Sequence, residues 1–395
     1  MKALNNNAHP LESLLQQHCP NGVEFKELGE LELNKILNLG RGKIISQNDL
    51  KNCPGEYPVY SSSATKNGEI GKYGKYMFDD ERITWSIDGG GKFFYRNHLK
   101  YSVTNVCGWI KVINLDELNT KFLFYALINE WVKKKFNYTK KAHPSIIKKE
   151  YCIPLPPLEI QYKIVEILDA FTELQAELQA ELQARLKQYH YYRNKLLSRD
   201  ELENRTAKSR NDSDPTPLVP LVTLGEVCEV KRGVRVTKKD LTENEKYPVF
   251  QNSLTPMGYY NQSNVNANTP FIIVGGSAGE IGWSSSSYWA ADDCIYFICE
   301  KSLMNRFLYH ALCNQQHYFL SQVRKASIPR LSQDCIKKLK IPLPPLAVQN
   351  EIVELLDKFD TLTNDLTSGI PAEIEARKKQ YEYYRERLLS FIAKD

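Results

Sequence analysis

The sequence lacks any apolar run long enough to cross a membrane. Its mean hydropathy is -0.46, and no apolar stretch approaches the roughly 18 residues that a spanning helix needs. The first residues, MKALNNNAHPLESLL, contain no apolar core of a secretory signal. Hydrophobic residues make up 42% and charged residues 25% of the 395 positions, as is typical of folded globular chains. We therefore expect a cytoplasmic protein of two or three domains with no membrane association.

Paired cysteine and histidine motifs are also missing. The nine cysteines are odd in number and scattered, they form no CxxC pair, and the seven histidines show no metal-ligand spacing. This pattern argues against a disulfide framework and a zinc module, and it favours isolated thiols. We expect no metal site in this chain.

Recognisable catalytic motifs are absent as well. DGGGKFF at 88–94 lacks the GxxxxGK[ST] spacing of a phosphate loop and is more typical of a hairpin or a DNA-facing turn. GGSAG at 275–279 contains no GxGxxG, and the chain has no HExxH, NPPY-like or FxGxG motif. We therefore predict that this chain is not itself an enzyme and binds no cofactor.

What the chain does contain is an internal repeat. IPLPPLEIQYKIVEILDAFTEL at 153–174 matches IPLPPLAVQNEIVELLDKFDTL at 341–362 in 14 of 22 positions. RLKQYHYYRNKLLS at 185–198 matches RKKQYEYYRERLLS at 377–390 in 10 of 14 positions. The segments between these blocks correspond weakly, for example YPVYSSS and YPVFQNS. The chain is therefore a tandem duplication of a variable globular unit followed by a matched helical block.

The matched blocks are predicted to be long helices. After each IPLPP, which the prolines keep extended, apolar residues recur at i, i+3 and i+4 over many turns. Residues 158–202 would span roughly 65–70 Å as one helix, and the second copy at 347–393 is the obvious packing partner. In the second copy, Gly369 and Pro371 should interrupt the helix, with Pro371 in the first turn of a new one.

The globular units are predicted to be mixed domains, because short β-branched and aromatic runs alternate with Gly, Asn and Ser and a helical stretch ends each unit. The expected fold class is α+β. The predicted parts are an N-terminal helical segment at 1–24, a first domain at 25–150, a helical block with a linker at 151–217, a second domain at 218–340 and a helical block at 341–395. The clearest linker is 199–218.

The charge is unevenly distributed along the chain. The overall net charge is +5, but residues 25–150 carry a net +7 and residues 218–340 a net +4, whereas both helical blocks are acidic. Basic residues cluster late in each globular unit, among aromatic and amide side chains. This segregation favours binding of a polyanion by the globular units, although any single lysine is more often a solvated surface charge.

The candidate DNA-binding residues lie in the polar loop after YPV, in the glycine-rich loop, in the late basic cluster and near the Arg-Gly turn of each domain. In the first domain they are Arg41, Lys43, Ser62, Lys66, Lys92, Arg96, Lys133, Lys134, Lys140 and Lys141. In the second domain they are Arg232, Arg235, Lys238, Lys239, Gln251, Asn252, Ser277, Arg324, Lys325 and Arg330.

These blocks resemble the specificity subunits of type I restriction–modification systems. The resemblance rests on the duplicated IPLPP helices, on KQYHYYRNKLL and KQYEYYRERLL, and on LGEL and LGEV at the start of each globular unit, and it covers essentially the whole chain. It implies two target recognition domains that each recognise one half of a split double-stranded DNA site. It also implies two long antiparallel coiled-coil helices that set the spacer, with pseudo-twofold symmetry.

The same resemblance implies partners that perform the chemistry. Two methyltransferase subunits using S-adenosylmethionine would dock on the helices, and restriction subunits using ATP and Mg²⁺ could join them. An alternative is a coiled-coil scaffold whose globular units bind carbohydrate or protein. The net positive charge of the two globular units disfavours it. An orphan or phase-variable specificity protein remains open, and a stand-alone methyltransferase would need a cofactor motif that the sequence does not contain.

Overall fold

The computed structural model describes residues 19–63, 66–97, 100–134, 136, 140–209, 219–242, 244–325 and 327–393, with only the backbone of Lys66. Of the predicted N-terminal helical segment, residues 1–18 lie outside this range. Residues 19–23 form a turn and a bridge, and Val23 pairs with Ala393.

The chain folds into two compact units that do not coincide with the two sequence repeats. The first unit comprises Met1–Glu177 and Ile374–Asp395, and the second comprises Leu178–Glu373. Each unit therefore combines one globular domain with helical segments from both repeats.

The first unit is built on mostly antiparallel strands with helices packed against them. Its strands are β1 (Glu24–Glu27), β2 (Leu37–Arg41), β3 (Tyr57–Tyr60), β4 (Glu69–Tyr73), β5 (Arg82–Ser86), β6 (Phe93–Arg96), β7 (Ser102–Val103), β8 (Cys107–Val112) and β9 (Cys152–Leu155). Its helices are α1 (Leu28–Leu33), α2 (Gln47–Asn52), α3 (Thr120–Trp131), α4 (Pro144–Glu150), the start of α5 (Leu158–Leu196) and residues 374–389 of the last helix of the chain. A short 3-10 turn covers Lys66–Gly68.

Three small sheets organise these strands. A four-stranded sheet has the order β2-β8-β5-β6, a three-stranded sheet has the order β4-β3-β7, and β1 pairs with β9. All five residues of the interior strand β5, RITWS, are buried, including the polar Arg82, Thr84 and Ser86. Residues 87–92 join β5 to its antiparallel neighbour β6, so DGGGKFF forms the predicted hairpin.

The second unit repeats this architecture. Its strands are β10 (Leu221–Thr223), β11 (Cys228–Arg232), β12 (Tyr247–Phe250), β13 (Tyr259–Tyr260), β14 (Thr269–Ile273), β15 (Ile281–Ser284), β16 (Trp289–Ala290), β17 (Cys294–Cys299) and β18 (Lys340–Pro342). Its helices are the end of α5, α6 (Arg199–Ser209), α7 (Leu224–Val227), α8 (Asn305–Asn314), α9 (Gln316–Gln322), α10 (Gln333–Lys337), α11 (Leu346–Asn364) and the start of α12 (Ile370–Leu389). A 3-10 turn covers Lys238–Asp240.

The strand orders of the second unit match those of the first. The four-stranded sheet is β11-β17-β14-β15, the three-stranded sheet is β13-β12-β16, and β10 pairs with β18. In both three-stranded sheets one pair is parallel, β3 with β7 and β12 with β16. The predicted α+β class and the tandem duplication of a mixed domain are therefore confirmed.

The helical blocks follow the sequence prediction with two corrections. The first is that the helix predicted at 158–202 ends at Leu196, and a separate helix begins at Arg199. The first block forms the long helix α5, and the second is interrupted between α11 and α12, with Pro371 in the first turn of α12 as expected. The predicted linker at 199–218 is wrong for its first half, because residues 199–209 form α6. Leu202 of α6 is buried in the core of the second unit, so apolar packing holds a segment whose polar composition is typical of a linker.

Aromatic stacking joins the two repeats inside each unit. In the first unit, Phe171 of α5 stacks on Tyr384 of α12 with ring centroids 5.2 Å apart. In the second unit, Phe359 of α11 stacks on Tyr192 of α5 at 5.3 Å. These are the same two positions of the repeat, since Phe171 corresponds to Phe359 and Tyr192 to Tyr384. The IPLPP helix of each repeat thus packs on the tyrosine block of the other repeat.

A buried glutamine fastens α5 to the first domain. Gln161 is completely buried, and its Nε2 donates to the carbonyl oxygens of Glu117 and Pro156, each at 2.8 Å. Its Oε1 accepts from the backbone N–H of Asn119 at 2.8 Å. All three contacts are with backbone atoms, so the side chain is satisfied without a particular partner residue.

The second repeat makes the same arrangement. Gln349 is also completely buried. Its Nε2 donates to the carbonyl oxygens of Ser302 and Pro344, each at 2.8 Å, and its Oε1 accepts from the N–H of Met304 at 2.9 Å. In each repeat two of the three hydrogen bonds attach the domain to the IPLPP helix, and the third goes to a proline carbonyl of the IPLPP segment itself.

A carboxylate two turns further along adds a second attachment in the first unit. Asp169 accepts from Lys121 Nζ at 2.6 Å and from Tyr125 Oη at 2.5 Å. Lys121 and Tyr125 lie four residues apart on α3 and therefore on one face of that helix. Burial raises the pKa of the Tyr125 phenol, and so does its hydrogen bond to Asp169, so this hydroxyl remains a donor.

The second unit uses different side chains for the same attachment. Asp357 accepts from Arg306 Nε at 2.7 Å, and His310 Nε2 lies 2.7 Å from the same oxygen. Burial lowers the pKa of the His310 imidazole despite the nearby carboxylate. Burial also acts to raise the pKa of Asp357, but the hydrogen bonds from His310 and Arg306 outweigh it and the pKa is lowered.

No helix in the described part of the chain is both long and apolar enough to cross a membrane. All nine cysteines are free thiols, among them the buried Cys107, Cys228 and Cys294.

We predict that Gln161→Met destabilises the first unit by about 2–4 kcal/mol, because three hydrogen bonds of a completely buried amide are lost and no side chain replaces them. Chemical denaturation of the full chain, followed by circular dichroism, measures the change. Gln179→Met on the exposed surface of α5 is the matched control and should leave the unfolding midpoint unchanged. Equal midpoints for the two variants would contradict the role assigned to Gln161.

Candidate nucleic-acid interface

Three loops that are distant in sequence meet in the first domain. They are residues 61–63 after YPV, the glycine-rich loop 88–92 and residues 140–143, and together they form the first three-loop surface. A Cβ atom on Gly89 would lie 1.8 Å from the Ser62 carbonyl oxygen, so the first two loops touch through a glycine. Lys141 Nζ lies 3.1 Å from Asp88 Oδ1, and the N–H of Ala142 donates to Ile87 O at 3.0 Å.

The Arg-Gly turn at 41–43 adjoins this surface. Gly42 approaches the next strand so closely that a Cβ would lie 1.9 Å from Val103 O. The N–H of Lys43 donates to the same carbonyl at 3.2 Å. Thr104 then donates its hydroxyl to Ser61 at 2.9 Å. The turn therefore carries Arg41 and Lys43, both exposed, next to the loop after YPV.

The second domain brings the corresponding loops together. Residues 251–254, 275–279 and 324–330 form the second three-loop surface, described here apart from residue 326. The N–H of Ser277 donates to Asn252 O at 3.0 Å, and that of Gly276 donates to Pro329 O at 3.2 Å. These backbone bonds join the glycine-rich loop to both of its neighbours.

The Arg-Gly turn of the second domain adjoins its own three-loop surface. Gly233 sits where a Cβ would lie 2.2 Å from Ala291 O. Arg232 Nε donates to Asp292 O at 2.6 Å, and Gln251 Nε2 donates to Asp292 Oδ1 at 3.3 Å. A single aspartate thus links this turn to the loop after YPV.

Most of the candidate residues are accessible. The exposed ones are Arg41, Lys43, Lys133, Lys140, Lys141, Arg232, Arg235, Lys238, Lys239, Asn252, Arg324, Lys325 and Arg330. The half-buried ones are Ser62, Lys92, Lys134, Gln251 and Ser277. The side chain of Lys66 lies outside the described part of the structure. Several lysines are engaged locally, since Lys133 pairs with Glu130 at 2.7 Å and Lys140 with Glu150 at 3.1 Å.

Arg96 is a correction to the sequence prediction. Its guanidinium lies 3.5 Å from the centroid of the Tyr60 ring, and it donates to Thr84 Oγ1 and to Asn67 O. Burial lowers the pKa of this guanidinium, and the Tyr60 phenol opposes that shift. Arg96 is only 2% exposed. It stabilises the 3-10 turn at Lys66–Gly68 from the interior through its bond to Asn67 O, and it cannot contact DNA directly.

The aspartates that hold these loops are not among the residues predicted from the sequence. Asp88 pairs with Lys141 in the first domain, and Asp292 and Asp293 contact Arg232 in the second. Acidic residues are not expected in a site that binds a polyanion, and only the fold brings these aspartates to their basic partners. The Asp-Asp pair at 292–293 inside a basic domain was the available signal.

The two three-loop surfaces present guanidinium, ammonium, amide and hydroxyl groups on loops that are fixed at their bases. Arginine and lysine suit phosphate oxygens, and asparagine, glutamine and arginine can hydrogen-bond to base edges. Among the described residues, no group of three His, Cys, Asp or Glu side chains is placed to hold a metal ion. The arrangement therefore favours recognition of a polyanion.

A family model and two related proteins all match this chain over most of its length. The family model described as "Type I restriction modification DNA specificity domain" matches twice, at residues 20–188 and 219–376. A putative type I specificity subunit of Mycoplasma pneumoniae is 31% identical over 370 residues, covering 91% of this chain and 97% of that protein. A putative type I restriction enzyme specificity subunit of Haemophilus influenzae is 31% identical, covering 98% of this chain and 100% of that protein.

Solved structures agree in fold. The S subunit of a type I restriction–modification system from M. genitalium matches with a TM-score of 0.62 at 19% identity and covers 99% of both chains. A chain from a study of complex assembly and conformational transition of the type I R-M system matches with a TM-score of 0.51 at 17% identity, covering 94% of this chain and 98% of that chain.

We predict that the double variant Arg324→Gln, Lys325→Gln weakens binding to every DNA duplex and lowers the slope of log K against log[salt] by about 2, one unit for each lost phosphate contact. Fluorescence anisotropy over a salt series measures both quantities. The control is Lys337→Gln, Lys338→Gln, which removes the same charge from the region of α10, outside the three-loop surface. An equal change in slope for both double variants would contradict this assignment.

Proposed function

Because the chain belongs to the family of type I restriction–modification DNA specificity subunits, we propose that each of its two repeated domains recognises one half of a bipartite target in double-stranded DNA. The family supplies DNA specificity, so the chain is a recognition subunit and not an enzyme. The alternatives of a carbohydrate- or protein-binding scaffold and of a stand-alone methyltransferase are disfavoured by this membership.

The observation that supports the proposal is the convergence of three loops in each domain. In both domains the loop after YPV, the glycine-rich loop and the late basic segment meet through backbone contacts, with the Arg-Gly turn beside them. Loops on a rigid sheet frame are where recognition residues can vary without loss of the fold. We infer that these two surfaces make the DNA contacts.

We further propose that the long helices fix the spacer between the half-sites and dock two methyltransferase subunits. Two exposed tyrosines support this, because they occupy the same position of the two repeats. Tyr191 is 60% exposed and Tyr383 is 56% exposed. An exposed aromatic side chain is a frequent anchor of protein interfaces, and two equivalent anchors suit two copies of one partner.

The chemistry then belongs to the partner subunits. We assign S-adenosylmethionine to the methyltransferase subunits, and ATP and Mg²⁺ to restriction subunits that would join the complex. Since the substrate is cellular DNA, we propose that the complex works in the cytoplasm.

Exchange of residues 219–340 for the second domain of another family member tests the proposal. We predict that methylation changes in one half of the target only, because Gln349 holds the domain through backbone atoms and accepts a domain of different sequence. The donor domain should carry Lys or Arg at the position of Arg306, so that the contact with Asp357 survives. Sequencing of methylated bases in cells that produce the chimaera and its partner subunits gives the answer.

The reciprocal exchange of residues 25–150 is the matched control, and it should change the other half of the target. An unchanged target after both exchanges, with the complex assembled, would refute recognition by the two domains.

Deletion of residues 177–180 tests the role of the helix. One ELQA unit contributes about 6 Å of length and about 40° of rotation. We therefore predict a nonspecific spacer shorter by roughly one to two base pairs, at one base pair per ~3.4 Å, with both half-sites retained. Sequencing of methylated bases reports spacer and half-sites together. The length-preserving control is Glu177→Gln with Gln179→Glu, and altered half-sites with an unchanged spacer would contradict the prediction.

A further inference from the structure

A single carboxylate lies within the basic surface of the second domain and contacts two arginines from distant segments. Asp293 Oδ1 accepts a hydrogen bond from Arg330 Nη1 in the late basic segment. The same oxygen lies 3.6 Å from Arg232 Nη2 in the Arg-Gly turn. One side chain therefore couples two exposed cations that the sequence places 98 positions apart.

The same carboxylate also covers the glycine-rich loop. A Cβ on Gly275 would lie 2.6 Å from Asp293 Cγ and 2.7 Å from its Oδ1. The absence of a side chain at Gly275 is what lets the carboxylate reach between the loops. Asp293 thus touches three of the segments that form or adjoin the second three-loop surface.

The fold does not require a carboxylate at this position. Cys107 begins β8 and Cys294 begins β17, and the two strands occupy the same place in sheets of identical order. The residue before the strand is Val106 in the first domain and Asp293 in the second. Because the first domain forms the same sheet with a valine here, Asp293 serves a purpose particular to the second domain.

Electrostatics indicates what that purpose is. A bare carboxylate close to a phosphate backbone opposes binding, whereas this one is only 14% exposed and is paired with Arg330 and Arg232. A guanidinium has five N–H donors in a rigid fork, so each arginine retains donors beyond those bonds. Their side chains are 48% and 54% exposed and so remain accessible to a ligand.

We propose that Asp293 is a positioning residue that fixes the guanidinium groups of Arg232 and Arg330 relative to each other, so that the second domain distinguishes base pairs rather than only binding phosphate. Arginine held in one orientation loses less side-chain entropy on binding and suits the bidentate geometry of a base edge. This inference rests on the proposed function and deepens it for one domain.

The test uses the full chain bound to its methyltransferase subunits and a pool of duplexes with randomised sequence. Duplexes retained by the wild-type complex are sequenced to define both half-sites, and the selection is repeated with Asp293→Asn. We expect the half-site of the first domain to persist and the preference in the second half-site to fall by roughly 5- to 150-fold, the range for loss of one good bidentate contact. Affinity for unselected duplexes should stay equal or rise, because a negative charge has been removed.

Two further variants keep the outcome interpretable. Arg330→Lys retains the charge but loses the fork, and it should show the same loss of preference in the second half-site. Glu245→Gln removes one exposed negative charge from the same domain and should leave both half-sites intact. Thermal unfolding of each variant shows whether the domain remains folded.

The outcomes separate the two ideas. Unchanged preference in both Asp293→Asn and Arg330→Lys overturns the positioning role, and so does an equal loss of affinity for selected and unselected duplexes. A wild-type complex that selects no sequence at all would instead overturn the proposed function. A loss of preference confined to the second half-site, with nonspecific affinity preserved, supports Asp293 as the positioning residue.

Discussion

The attachment of each domain to its helix by a buried glutamine is the constraint on which the rest of the structure depends. Gln161 and Gln349 are completely buried, and each uses its amide to hydrogen-bond two backbone carbonyl groups and one backbone N–H. Since all of these partners are backbone atoms, the attachment makes no demand on the side chains of the domain. A domain can therefore change its surface loops extensively while it remains fixed at the same place on the helix.

The helical framework could be predicted from the sequence because it depends on local and repetitive signals. Apolar spacing defines α5, and Gly369 with Pro371 marks the break between α11 and α12. The helix at 199–209 was only partly predicted, since the expected long helix reached residue 202. Ion pairs between Arg199 and Glu203 and between Arg205 and Glu201, together with the burial of Leu202, stabilise the rest. The hydrogen-bond partners of Gln161 could not be predicted, because they are backbone atoms, which every residue type carries.

The candidate interface was predictable as a set of segments but not as a geometry. Loops rich in glycine, amides and basic residues indicate where a sheet frame can present donors. Which of their charges face solvent depends on packing, and Arg96 shows the difference, because it lies under Tyr60 with its guanidinium buried. Asp88 and Asp293 are the opposite case. The sequence does not mark them as part of the interface, and their role follows only from the ion pairs with Lys141 and Arg330 that the fold creates.

The exchange of helical segments between repeats has a consequence for what counts as a functional module. Phe171 of the first repeat stacks on Tyr384 of the second, and Phe359 of the second stacks on Tyr192 of the first. Each unit thus needs both repeats to complete its helical layer, although its recognition loops come from one repeat alone. The loops of each three-loop surface come from one repeat, whereas the helical layer beneath each domain is shared by both repeats, so a change in the loops of one domain leaves the framework of the other intact.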